Sequence, residues 1–143
     1  MTTREKHTPK LDHVAIQVTD LEASITFYTE KLGFELLFHQ VDQEHCEEFA
    51  FLKMEGVNLE LLQILDSQGR PKPVEISPPA PPYCPHLALQ TDNLDAEIVR
   101  LQQCEIPLLA GPLEISGSVR WLYFCDLDNN ILEYVQWLAG DVS

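Results

Sequence analysis

A stretch near the start of the chain, LDHVAIQVTDL at residues 11 to 21, returns as CPHLALQTDNL at residues 84 to 94. The same offset carries VNLELLQIL at 57 to 65 onto NILEYVQWL at 130 to 138. Sliding the first half onto the second without a gap pairs His13 with His86, Ala15 with Ala88, Gln17 with Gln90, Leu36 with Leu109, Phe51 with Phe124, Glu60 with Glu133 and Gln63 with Gln136. Chance supplies about three identities over such a length at ordinary residue frequencies. The chain therefore reads as two copies of one module, and whatever fold the half adopts must be one that packs against its own duplicate.

At 143 residues the chain suits one domain. Each half alone would bury too small a core, so the halves are expected to pack together. A formal charge of -14 excludes the dense basic surface that nucleic acid or an anionic membrane requires. Cys46, Cys84, Cys104 and Cys125 show no CxxC spacing, and the N-terminus lacks the apolar core of a signal peptide. A reduced, cytoplasmic protein is the expectation. No apolar run reaches the roughly 18 to 20 residues that span a bilayer.

Residues 1–10 and 139–143 lie outside the duplication and are expected to be tails, leaving a single domain over 11–138. From Leu11 the pattern alternates, with Val14, Ile16 and Val18 on one face and His13, Ala15 and Gln17 on the other, which predicts a strand. Asp20 is placed to cap a helix running to about Leu32, and Gly33 to end it in the left-handed conformation. Three strands follow, at 34–41, 48–54 and 57–64, the last two joined through Glu55-Gly56. Residues 66–85 hold most of the chain's ten prolines and are expected to be a stiff tether between a first module at 11–65 and a second at 86–138. The second module repeats the order: a strand at 86–91, Asn93 as cap, a helix from Leu94 to about Cys104, and strands near 108–110, at 119–125 and at 131–137.

Two histidines and two glutamates stand out among the repeated residues. Glu60 lies in the apolar run NLELL and Glu133 in ILEYV. A carboxylate buried there without a partner would cost several kcal/mol, so each must be paired or metal-bound. One His and one Glu from each module make a donor set suited to zinc, nickel, cobalt, iron or manganese. Facing modules would bring His13, Glu60, His86 and Glu133 together across a pseudo-symmetric cleft, with Ala15 and Ala88 leaving room beside the imidazoles. Phe49, Phe51, Trp121 and Tyr123 sit on strands, where aromatics more often belong to the core. His39 and His45 have no counterpart in the other module and are expected at the surface.

The segments LDHVAIQVTDLEASITFYTEKLGFEL, NLELLQ, PHLALQTDNLDAEIVRL and DLDNNILEYVQW resemble the vicinal oxygen chelate superfamily, which contains glyoxalase I, methylmalonyl-CoA epimerase, extradiol dioxygenases and bleomycin-resistance proteins. The resemblance covers residues 11 to 138. It implies an α+β fold of two tandem βαβββ modules forming a cupped mixed sheet around a divalent metal held by His13, Glu60, His86 and Glu133. It further implies a homodimer and a metal-dependent lyase or isomerase of glyoxalase type, acting on a small substrate with vicinal oxygens through a metal-bound enediolate. Glu133 then corresponds to the catalytic base and Glu60 to the second carboxylate, with Gln17 and Gln90 as polar contacts. The arginine that glyoxalase I usually carries four residues after the first histidine is Gln17 here. An acyl-CoA epimerase and a non-catalytic binding protein of the bleomycin-resistance type are the alternatives within the same family.

Overall fold

The computed structural model describes residues 6–138. Its order is β1 (His13–Gln17), α1 (Leu21–Thr26) continuing as a π turn (Phe27–Lys31), β2 (Glu35–Asp42), β3 (Glu47–Lys53) and β4 (Asn58–Ile64), then β5 (His86–Gln90), α2 (Leu94–Gln103), β6 (Leu108–Ile115), β7 (Val119–Cys125) and β8 (Ile131–Trp137). This is an α+β fold of two βαβββ modules. Residues 6–10 carry no regular element, and the rest of the expected tails, 1–5 and 139–143, falls outside the described residues.

Each module forms one four-stranded mixed sheet, ordered β1-β4-β3-β2 and β5-β8-β7-β6. The first strand of each module runs parallel to the last, and the other pairs are antiparallel. The two sheets are separate within one chain, and β1 and β5 are each bonded along one side only. Helix caps fall where the sequence places them: Asp20 accepts from Ala23 N and Asn93 from Ala96 N, and Gly33 and Gly56 take positive φ. The helices cover one face of their sheets. Leu21, Tyr28, Leu52, Leu59 and Leu61 from the first module and Leu94, Leu101, Leu122, Phe124 and Leu132 from the second form one continuous core.

The gapless repeat holds at the ends of the module and fails in its middle. Phe51 lies opposite Glu60, and the residue opposite Glu133 is Tyr123, not Phe124. Phe124 is opposite Leu132 and fully buried, so its true counterpart is Leu52, opposite Leu59. A slip of one residue in a strand exchanges its faces. The slip enters at the end of the first helix. There Phe34 N bonds back to Tyr28 O, whereas in the second module Ile106 N bonds back to Leu101 O, one residue nearer. The π turn holds this extra residue, which is why the α-helix predicted to Leu32 ends at Thr26. The turn from β7 to β8, one residue longer than that from β3 to β4, restores the offset before the glutamates. β6 also runs beyond the predicted Ala110, because bulges between Leu108 and Leu113 carry the strand past Gly111-Pro112.

The modules are tied at the loop DLDNN. Tyr28, fully buried, donates its hydroxyl proton to Asp126 Oδ2 at 2.8 Å. Asp126 Oδ1 accepts from the backbone N–H of Asp128 and Asn130, and Asn130 Nδ2 donates to Gln17 O at the end of β1. Thr19 N donates to Asp128 Oδ1 at 3.1 Å. A hydrogen bond to a buried carboxyl group contributes about 1.5 to 3 kcal/mol. Tyr28→Phe is therefore expected to lower unfolding free energy by about that amount, read from urea midpoints at unchanged denaturant slope.

Candidate metal centre

On β1 the side chains of His13, Ala15 and Gln17 are on the open face, and on β5 those of His86, Ala88 and Gln90 are. Parallel pairing sets Ala15 opposite Glu60 and Ala88 opposite Glu133. Each glutamate is thus a diagonal neighbour of the histidine on the adjoining strand, within reach of a long side chain. The alanines leave the space between them clear. His13 Nε2 lies 3.4 Å from Glu60 Oε1, and His86 Nε2 lies 2.9 Å from Glu133 Oε1.

The other ring nitrogens are committed. His86 Nδ1 is 2.8 Å from the carbonyl oxygen of Tyr83, which can only accept, so Nδ1 carries the proton. His13 Nδ1 is 2.8 Å from Asp12 Oδ2, and an ionised carboxylate likewise only accepts. When the imidazole is neutral, Nε2 then presents a lone pair to a carboxylate oxygen, acceptor against acceptor. Only a cation between them, a proton or a metal ion, makes that arrangement favourable. Two ligand atoms each about 2.1 Å from one metal at right angles stand about 3 Å apart, a value that lies between the two observed separations. The donor set fits a divalent metal, with two ligands per module.

Burial sharpens the second pair. Glu133 is 9% exposed, and desolvation pushes its carboxyl group above the usual carboxylate range against the opposing pull of His86. Around the first pair, Phe51 sets its ring edge-on to His13 at 5.1 Å and stacks on Phe38 at 4.9 Å. Around the second, Tyr123 lies 5.4 Å from His86 and 5.0 Å from Tyr83. Phe51 and Tyr123 thus wall the site, contrary to the sequence-based preference for the core. A core role was predicted from strand position alone, whereas the register with the glutamates decides the face.

The sequence leaves open whether the four groups meet within one chain or across a dimer. Each histidine pairs with the glutamate of its own module, and among the described residues no three His, Cys, Asp or Glu side chains of one chain form a metal-holding group. The two sheets contribute to one core on their helix-covered sides. A cavity of about 390 Å³ lined by Phe27, Ile106, Leu108 and Asp126 lies at the seam between the modules and contains neither pair.

The family model described as Glyoxalase/Bleomycin resistance protein/Dioxygenase superfamily matches residues 10–134. The chain belongs to this superfamily. It is 29% identical over 131 residues to the uncharacterized protein YwbC of Bacillus subtilis, an alignment covering 89% of this chain and 97% of that one. It is 29% identical over 117 residues to human mitochondrial methylmalonyl-CoA epimerase, covering 80% of this chain and 65% of the epimerase. A crystal structure of a glyoxalase family protein from Bacillus cereus superposes with a TM-score of 0.76 at 18% identity, covering 96% of this chain and 99% of that one.

In this superfamily member Gln63 and Gln136 are repeated as faithfully as the ligand candidates, and their role is different. Gln63 Oε1 accepts from Leu21 N and its Nε2 donates to Thr19 O. Gln136 does the same with Leu94 N and Asp92 O. Each fastens the start of a helix to the strand that bears the glutamate. Their repetition in the sequence was the available signal. His39 and His45 pair with Glu48 and Asp42 away from the histidine–glutamate pairs. Gln63→Ala leaves two backbone groups without partners and is expected to cost about 2 to 3 kcal/mol, measured by thermal or urea unfolding of the metal-free protein.

Proposed function

We propose that the chain is a metal-dependent lyase or isomerase of glyoxalase type, acting on a small substrate with vicinal oxygens. We infer further that it works as a homodimer, in which His13 and Glu60 of one copy join His86 and Glu133 of a second. The observation that carries this reading is the pair of histidine–glutamate contacts, 3.4 and 2.9 Å, repeated in both modules. Each is half a coordination shell, and the halves lie on faces one chain leaves open. Apolar side chains on these sheets are uncovered in the single chain, including Phe38 at 47%, Ile115 at 58% and Trp137 at 39% exposure. A second copy would cover such faces and bring the half-shells together.

The bound cation, drawn from zinc, nickel, cobalt, iron or manganese, would act as a Lewis acid that polarises a substrate carbonyl and acidifies the adjoining C–H. The chain supplies the rest. Glu133, held in its neutral form more readily than an exposed carboxylate, takes and returns the proton. Glu60 is the second carboxylate. Gln17 and Gln90 offer amide contacts to polar substituents, and Phe51 and Tyr123 exclude water from the sides.

The acyl-CoA epimerase reading draws support from the human relative, and the basic side chains weigh against it. Arg70, Arg100 and Arg120 are each paired, with Asp66, Glu97 and Asp95. They are poorly placed to receive the phosphates of coenzyme A.

Purified protein is expected to hold divalent metal near one equivalent per chain, and Glu60→Ala and Glu133→Ala to lose it. Mixing unfolded-and-refolded His13→Ala with Glu133→Ala should regenerate one intact site per mixed dimer, read as recovered metal. No recovery would end the shared-site reading. Glu133→Gln is expected to keep metal while turnover of a hemithioacetal falls by about a hundredfold or more. Turnover confined to an acyl-CoA would favour the epimerase, and metal-free protein that still binds small aromatic molecules would favour a binding protein.

A further inference from the structure

The two imidazoles are fixed in the same tautomer by partners of different charge. Behind His86 stands a neutral group, the Tyr83 carbonyl, at 2.8 Å. The residue before His86 is Pro85, whose side chain offers no acceptor, so the end of the proline-rich linker supplies one. Behind His13 stands a carboxylate, Asp12 Oδ2, also at 2.8 Å. The backbone of Asp12 is anchored, because its carbonyl accepts from Asn58 N at the start of the strand that carries Glu60. The imidazole of His13 is therefore held between Asp12 at Nδ1 and Phe51 at its side, with Nε2 turned toward Glu60. A carboxylate or a carbonyl behind a metal-binding imidazole orients it and raises its basicity, and the full negative charge of a carboxylate raises it more.

We propose that Asp12 is a positioning residue that makes His13 the stronger of the two imidazole ligands, so that the first module is the half-site that captures the cation. The inference rests on the reading of His13 and Glu60 as metal ligands. Asp12 has no cationic partner among the described ion pairs other than His13, and its side chain is 91% exposed. Its replacement leaves the core untouched. Among the described residues its carboxylate is engaged by Nδ1 of His13.

The test is cobalt(II) binding to the full-length protein, measured by competition with a chromophoric chelator and by the visible absorption of the bound ion. Asp12→Asn keeps an acceptor oxygen for Nδ1 and removes the charge, and is expected to weaken cobalt binding about tenfold and shift the absorption band. Asp12→Ala should weaken it further, and Asp12→Glu should restore much of the loss. Circular dichroism and urea midpoints should match those of the parent in all three. A parent that binds cobalt while Asp12→Asn gives the same constant and spectrum overturns the role of Asp12 and leaves the metal reading standing. A parent that binds no cobalt overturns both.

Discussion

Two lone pairs do not rest against each other in a partly dehydrated site without a positive charge between them. That constraint governs both ends of this protein's repeat. Asp12 and the Tyr83 carbonyl accept hydrogen bonds from Nδ1 of His13 and His86, leaving each Nε2 aimed at a carboxylate oxygen. The strand order does the aiming. Because the first strand of each module is parallel to the last, an alanine falls opposite the glutamate and the histidine lies diagonally across from it. A slip of one residue would turn one of the two side chains into the helix-covered core.

The second consequence concerns how the halves have drifted while keeping that geometry. The first module holds an extra residue in the π turn after α1, and the second holds one in the turn before β8. Between those points the modules are out of step. At the glutamates they are in step again, so the divergence is confined to segments that do not carry donor atoms. The walls differ accordingly: three phenylalanines, Phe38, Phe49 and Phe51, gather beside the first pair, and two tyrosines, Tyr123 and the linker's Tyr83, beside the second. The first surface is apolar throughout, while the second carries hydroxyl groups. A ligand lying between them would meet two chemically distinct sides.

Much of this was legible in the order of residues. Alternation over 13–17 and 86–90, caps at Asp20 and Asn93 and the glycine at 33 all report local backbone preferences that tertiary contacts did not override. The odd choice of glutamate in two apolar runs marked the carboxylates that the fold pairs with histidine: a cost that large is retained in both copies only with compensation. The facing of Phe51 and Tyr123 was not legible, because the gapless repeat set Phe51 against Phe124, and a strand's face depends on parity that one inserted residue reverses. Nor was the part played by Tyr83. It belongs to a linker without periodicity, and its contribution is a backbone carbonyl, which every residue possesses.

The chain's own sequence determined a duplicated strand–helix–three-strand unit and the identity of the two histidines and two glutamates, since these follow from short-range periodicity and from repetition at one offset. Tertiary structure decided which of the four are neighbours. Within a module, sheet pairing joins His13 to Glu60 and His86 to Glu133. Between modules, Tyr28 and Asp126 bond beside a core shared by the helix-covered sides. That outcome depends on which apolar surfaces bury each other in three dimensions, a choice that no local pattern records.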